Sequence, residues 1–310
     1  MKRSIVIILI FLTGQLYAQW SVDSVLVQVE RNNTTLSAIR KKLDAEKLAN
    51  QTGIFLKNPE AEFNYLWGNP SAIGNRTDVS VRQSFDFPTA YVYRKQISNL
   101  KNDQIELEYQ KQKKEILLQV RLLCTELTYR NALKAAYVIR LSNARQLAGS
   151  YQRKHKAGEI SVLECNKAQV HLLTMSKEAE NQDIERAALL SELTGLNGGT
   201  ALYFKDSAFV LPHLPGDFDI WFAQAEQGSP VMQWLKQEIV IAQKEKQWQN
   251  ARNLPGFSSG YMSEKVAGEH FQGITFGVTI PLWETKNSVK LSQARIKAAE
   301  EWQADAKLQF

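Results

Sequence analysis

TDVSVRQSFDFPTA, residues 77–90, carries two periodicities back to back. Up to Phe87, the apolar Val79, Val81, Phe85 and Phe87 alternate with Asp78, Ser80, Arg82, Ser84 and Asp86, which is the period-2 pattern of a strand with one apolar and one charged face. After Pro88 and Thr89, no turn signal interrupts a helical pattern until Ala157-Gly158, about seventy residues later. At roughly 1.5 Å of rise per residue such a helix is on the order of 100 Å long, far beyond the ordinary helix of a globular domain. A strand suited to a membrane barrel is thus joined directly to a helix that no compact globule can hold.

Working outward towards the C-terminus, the helical stretch repeats apolar residues at steps of four and three: Ile116, Val120, Leu123 and Leu127, then Tyr137, Leu141, Ala144, Ala148 and Tyr151. Sustained spacing of this kind marks a coiled-coil seam. The break falls at Ala157-Gly158-Glu159-Ile160. Ser161 and Glu164 follow at capping-box spacing, so a second helix starts there and runs back to Leu193-Thr194-Gly195. The return helix is about half the length of the outgoing one, as read from these signals.

Towards the N-terminus, residues 21–51 read as one helix with Val25, Val29, Leu36, Ile39, Leu43 and Leu48 on its apolar stripe, stopped by Gly53 and Asn58-Pro59. The hairpin 59–87 then sets Ala61, Phe63, Tyr65 and Trp67 against Glu62, Asn64 and Leu66 before reaching the stretch quoted above. Beyond the helical hairpin, residues 196–228 read as an irregular side segment. A second unit opens with Ser229-Pro230, a cap with proline at the first helical position. Its hairpin, 255–281, alternates Phe257, Ser259 and Tyr261 with Gly256, Ser258 and Gly260. After a polar loop it alternates Ile274, Phe276, Val278 and Ile280 with Thr275, Gly277 and Thr279, and Pro281 closes it. Residues 19–195 and 229–310 therefore form an internal repeat whose second copy is incomplete. Trp302, Ala304, Ala306, Leu308 and Phe310 alternate too, but the Ala, Glu, Gln and Lys around them favour helix, and helix is expected there.

Hairpins with one apolar and one polar face suit either a soluble sheet on a core or a barrel wall between lipid and water, and periodicity alone does not separate the two. The N-terminus favours the second. Lys2-Arg3, the apolar run Ile5 to Leu12 and Leu16-Tyr17-Ala18 have the order of a secretory signal peptide, residues 1–18, too short to span a bilayer. No later segment has the apolar length of a transmembrane helix, so membrane entry would have to use strands. Removing the signal takes two positive charges from a formal net charge of +6, leaving a surface of mixed sign rather than a nucleic-acid footprint. Cys124 and Cys165 fall on antiparallel helices at different distances from Gly158 and are read as free packed thiols. His155, His171, His213 and His270 show no ligand spacing. There is no phosphate-binding glycine loop, nucleophile elbow or metal cluster, so the expectation is a non-enzyme without cofactor or metal.

KAGEISVLECNKAQ, LSELTG, SPVMQWLKQEIVIAQ, LPGF and VTIPLWETKNSVKLSQARIKAAE, in this order and spacing, resemble the TolC family of outer-membrane efflux proteins over nearly the whole mature chain. The WETKNSVK turn is reminiscent of the metal-efflux subgroup. The resemblance implies a mainly α protomer with a long α-helical coiled-coil barrel and four strands contributed to a trimeric 12-stranded β-barrel. It implies location in the outer membrane of a Gram-negative bacterium with a large periplasmic part. It also implies a homotrimer that serves as the channel component of a tripartite efflux or type I secretion system, a passive conduit for small molecules or ions driven by an inner-membrane pump, RND-type for efflux, through a periplasmic adaptor protein. On the same analogy Ala157, Gly158, Glu159 and Ile160 form the adaptor-docking tip, with Glu159 departing from an apolar residue common in the family. The family's second long helical hairpin, which usually holds the aperture residues, has no counterpart before Phe310, so a C-terminally truncated chain is expected.

Mapped onto this architecture, the lipid-facing strand residues are Phe63, Tyr65, Trp67, Val79, Val81, Phe85, Phe87, Phe257, Tyr261, Ile274, Phe276, Val278 and Ile280. The lumen-facing ones are Glu62, Asn64, Asp78, Ser80, Arg82 and Asp86. Three other readings compete with the channel: the periplasmic adaptor, which would need an all-β domain flanking its helical hairpin; a structural coiled-coil envelope protein, which has no reason to carry the hairpins; and a non-functional channel fragment.

Overall fold

The computed structural model describes residues 21–211 and 215–310, so the signal peptide read at 1–18 lies outside the described residues, as do Pro212 and His213. The described residues form seven α-helices and four strands: α1 (Val22–Asn32), α2 (Thr34–Asn50), β1 (Glu60–Leu66), β2 (Arg76–Phe85), α3 (Pro88–Lys156), α4 (Val162–Leu196), α5 (Phe218–Gln227), α6 (Pro230–Arg252), β3 (Gly256–Val266), β4 (Glu269–Thr279) and α7 (Ser288–Gln309). They group into two compact units. One holds residues 21–34 and 115–211, the other 35–114 and 215–310. Helix α3 runs 69 residues without a break and contributes to both. None of the described helices is long and apolar enough to cross a membrane.

The first unit is a helical hairpin with α1 laid on it. Val25 and Val29 of α1, Val120, Leu123, Cys124 and Leu127 of α3 and Leu193 of α4 share one buried cluster. Val120, Leu123 and Leu127 belong to the first half of the expected seam, whose Ile116 is half-buried; in its second half Ala144 and Ala148 are buried. Polar pairs lock the helices in register: Gln119 Nε2 donates to Glu192 at 3.2 Å, Arg130 to Gln182 at 3.1 Å, and Lys134 meets Asp183 at 2.5 Å. Burial pushes the Cys124 thiol up to about 11, with the Asp206 charge adding to it, so it is a protonated packing group at neutral pH.

After α4 the chain turns through Asn197, which is fully buried. Its Nδ2 donates to the Thr200 carbonyl at 2.7 Å and its Oδ1 accepts from Asn32 at 3.1 Å. The following segment inserts Leu202 and Phe204 into the same core, and Asn131 Nδ2 holds its backbone through the Asp206 carbonyl at 2.9 Å.

In the second unit the helices meet across more polar surfaces. Glu106 of α3 takes Arg40 at 2.9 Å and Lys47 at 3.0 Å from α2. Lys101 of α3 meets Glu245 of α6 at 2.9 Å, and Gln104 donates to Glu238 at 2.7 Å. Met232, Leu235, Ile241 and Ala242 of α6 and Ala299 of α7 are buried. Partial burial pushes the Glu106 carboxyl up, but the hydrogen bonds from Lys47 and Arg40 outweigh it and hold the group below the usual carboxylate range.

The structure differs from the sequence reading in four places. The helix expected over 21–51 is two helices, because Asn33 adopts an extended conformation and its buried side chain donates to the Leu196 carbonyl at 2.7 Å. The polar loop expected between Tyr261 and Ile274 is mostly strand. Ala267 and Gly268, at φ 49° and 94°, make a two-residue turn, and pairing runs from Gly256 to Thr279. The segment 196–228 is not wholly irregular, since Asp217 caps α5 through the Asp219 and Ile220 amides. Pro88 is the first residue of α3, whereas α7 begins only at Ser288, after a turn that follows Pro281. The chain end, as expected, is helix.

Two measurements check this packing. Phe204→Ala should cost about 3–5 kcal/mol, as other buried Phe truncations do. The exposed Phe209→Ala should cost less than about 0.5 kcal/mol, so thermal unfolding followed by circular dichroism should separate the two variants clearly. For Glu106 the folded pKa is depressed, so its stabilisation is present above the unfolded carboxylate value and lost as pH falls through the folded one. Glu106→Gln should therefore narrow the acid-side loss of stability. The difference should be small and salt-sensitive, because the carboxylate is 40% exposed.

Candidate functional site: a two-faced sheet and a helical tip

All four strands belong to one antiparallel sheet in the order β1-β2-β3-β4, so the two hairpins of the repeat are fused through β2 and β3. The register decides which residues share a face, because partners across an antiparallel pair lie on the same side. Phe63 stands opposite Val79, Val81 opposite Tyr261, Phe85 opposite Phe257, and these lead on to Val278 and Ile274. Tyr65 and Phe276 fall on the same side, while Trp67, Phe87 and Ile280 continue the pattern just past the strand ends. The thirteen residues read as one apolar set thus form one continuous face.

Glu62, Asn64, Asp78, Ser80 and Arg82 lie on the opposite face, Glu62 paired with Ser80 and Asn64 with Asp78. The register adds Ser258, Glu264 and Thr275 from the second hairpin, which the sequence reading left unassigned although Ser258 and Thr275 alternate with the apolar set. Arg76 Nε binds Asp78 at 2.9 Å and Glu264 at 3.0 Å, tying the two hairpins together on this side. Asp86 lies just beyond β2 and does not stand free. Its carboxylate binds Arg94 at 2.6 Å and its amide donates to the Tyr91 hydroxyl at 2.8 Å.

Both faces of the sheet are largely open: on the apolar side Phe276 is 82% exposed and Ile274 72%, and on the polar side Glu62 and Arg82 are exposed while Asp78 is buried. The polar side carries small residues, Gly256, Ser258 and Gly260 on β3 and Gly273, Thr275 and Gly277 on β4, together with the larger Leu66, Met262 and Phe271. Strands β2, β3 and β4 have 10, 11 and 11 residues, the length a tilted strand needs to cross a bilayer; β1, with 7, is shorter. Both outer strands, β1 and β4, have a free edge within the described chain.

At the other end of α3, Ala157, Gly158 and Glu159 are exposed and Ile160 is half-buried. Gly158, at φ 76°, makes the left-handed turn that reverses the chain, with its amide donating to the His155 carbonyl at 3.0 Å. The capping box then starts α4: the Ser161 amide donates to Glu164 at 2.9 Å and the Glu164 amide to Ser161 Oγ at 3.3 Å. These bonds hold the Glu164 carboxyl below its usual range. Arg153, Lys154, His155 and Lys156 make the last turn of α3 basic, which complements the carbonyl end of the helix dipole.

Neither a family model nor a curated sequence matches the chain. Solved structures do. The Campylobacter jejuni CmeC outer membrane channel aligns with 93% of this chain and 68% of its own at 14% identity and a TM-score of 0.65. The outer membrane protein VceC from Vibrio cholerae aligns with 93% of this chain and 75% of its own at 11% identity and a TM-score of 0.68. The outer-membrane channel OprN gives 93% and 71%, 13% identity and a TM-score of 0.70. The fold of this chain is that of the TolC-like outer-membrane channels.

Proposed function

We propose that the chain is the outer-membrane component of an export system, a passive conduit for small molecules or ions across the outer membrane of a Gram-negative bacterium. The observation that carries this reading is the two-faced sheet, whose continuous apolar side is left exposed. In water such a face would be a large aggregation-prone patch; in lipid it is the required dressing of a barrel wall. On this reading Phe63, Tyr65, Val81, Ile274 and Phe276 contact acyl chains, while Asp78, Arg82 and Glu264 line the lumen.

A four-stranded sheet with two free edges is not viable alone in lipid, where unpaired backbone groups each cost several kcal/mol. Pairing β4 of one copy with β1 of the next closes the edges, and three copies give a barrel of twelve strands. The helices carry a matching signal. Leu118, Leu122, Tyr129 and Ile139 of α3 are exposed on a second seam at heptad-like spacing, separate from the buried one, and suited to a neighbouring copy. The tip at 157–160 would meet a periplasmic adaptor, and an inner-membrane pump, RND-type by analogy, would supply the energy. Asp86 belongs to the barrel base rather than to the pore wall, since its charge is spent on Arg94.

Expressed with its N-terminal signal, the chain should fractionate with the outer membrane. It should run as a heat-sensitive trimer on electrophoresis and give discrete conductance steps in planar bilayers. Phe276→Asp, a charge in mid-face, should reduce outer-membrane yield severely, in line with the about 2–4 kcal/mol such a residue can cost near the midplane. Asp78→Asn should leave the trimer in place. A soluble periplasmic monomer would overturn the proposal.

A further inference from the structure

At the base of the sheet, where the ends of β2, β3 and β4 meet α6 and the segment after α2, lies an open cavity of about 640 Å³. One side is apolar: Phe55 and Leu56, both exposed, with Phe87, Phe257 and Leu254. The other side carries charge. The guanidiniums of Arg94 and Arg252 lie over the same indole, 6.0 and 5.3 Å from the Trp248 ring centroid.

Arg94 is neutralised by Asp86 at 2.6 Å and also donates to the Gly53 carbonyl at 3.3 Å. Arg252 is not neutralised to the same degree. Among the described residues its ion pair is with Glu284, which spans 3.5 Å and uses a carboxylate side chain that is 77% exposed. The lining carries three cations, Lys57, Arg94 and Arg252, against two carboxylates, Asp86 and Glu284. The cavity therefore joins a surplus of positive charge to an apolar wall.

We infer that this cavity binds an anionic amphiphile, a lipid whose phosphate is drawn by Lys57 and accepts hydrogen bonds from Arg252 while its acyl chain lies along Phe55, Leu56, Phe87 and Phe257. The volume suits a headgroup with the first part of its chains rather than a whole lipid. Its place at the membrane border rests on the function proposed above, because Phe85, Phe87, Phe257 and Ile280 mark the lower end of the apolar face. The lipid would fix the protomer's depth in the inner leaflet.

The test is native mass spectrometry of the purified full chain in detergent, titrated separately with phosphatidylglycerol, diacylglycerol of the same chains and inorganic phosphate. Phosphatidylglycerol should bind one per chain, at about tenfold lower concentration than diacylglycerol, as expected when one charge-assisted hydrogen bond to the phosphate decides the difference. Arg252→Gln, which keeps the stem over the indole, and Lys57→Gln, which removes the second cation, should each weaken phosphatidylglycerol about tenfold and leave diacylglycerol unchanged. Circular dichroism of both variants reads folding independently. Equal binding of the two lipids, or unchanged binding by both folded variants, overturns the inference. Displacement of phosphatidylglycerol by an equal concentration of inorganic phosphate also overturns it, because the apolar wall would then contribute nothing. The titration does not depend on conduction. If the chain fractionates away from the outer membrane but retains selective phosphatidylglycerol binding, the proposed function fails and the site stands.

Discussion

On the proposed reading, the constraint on which the rest of the molecule depends is that backbone N–H and C=O groups in hydrocarbon have no water to turn to. Four antiparallel strands satisfy these groups internally along three ladders and leave two rows unpaired, on β1 and β4. A soluble protein would cover or charge such edges. Here β4 is a full-length strand with Ile274, Phe276 and Val278 facing outward, neither shortened nor interrupted by proline. On the proposed reading this edge pairs with a neighbouring copy, and the trimer follows from that requirement.

The same solvent logic explains why the sheet and the helices are dressed so differently. On the sheet large apolar side chains such as Ile274 and Phe276 are exposed. In the helical hairpin the order is the ordinary one, with Val120, Leu123 and Leu127 buried and charged pairs such as Lys134 with Asp183 on the surface. One continuous chain passes from the first regime to the second at Pro88, within a few residues. Ion pairs along α2, α3 and α6 are solvated and individually weak. Their value is in fixing register between long helices whose apolar seams would otherwise tolerate sliding by one heptad.

Much of this was legible in the sequence because it rests on local periodicity. The strand at Asp78 to Phe87, the heptads from Ile116 and the capping box at Ser161 and Glu164 each announce themselves over a few residues. What escaped the reading depends on contacts distant in sequence or on residues without hydrophobic contrast. The break at Asn33 exists because its side chain meets Leu196. Strands β3 and β4 run past Tyr261 and Ile274 through residues of mixed polarity, with Met262, Val266 and Phe271 sharing a face with Glu264 and Glu269, held by Tyr261 to Gln272 at 2.7 Å and Ser263 to His270 at 2.8 Å, so alternation of polarity could not reveal them. Asp86 was readable as a member of an alternating charged face, but its partner Arg94 lies on the next element, and only the fold shows that the charge is consumed.

The two halves of the repeat diverge most where strand gives way to helix. In the first, Pro88 starts α3 directly, and Asp86, Tyr91 and Arg94 bind across the corner. In the second, Pro281 leads into a turn that ends at Asn287, in the left-handed region at φ 66°, before α7 begins. A strict repeat would have placed an acidic residue two before Pro281 and an arginine six after it; the chain has Thr279 and Asn287 there. The second corner is consequently looser, and its turn contributes Pro281, Glu284 and Thr285 to the wall of the cavity beside Arg94 and Arg252. The site is a product of that asymmetry: one corner supplies the neutralised arginine and the rigid ring contacts, and the relaxed corner supplies the opening.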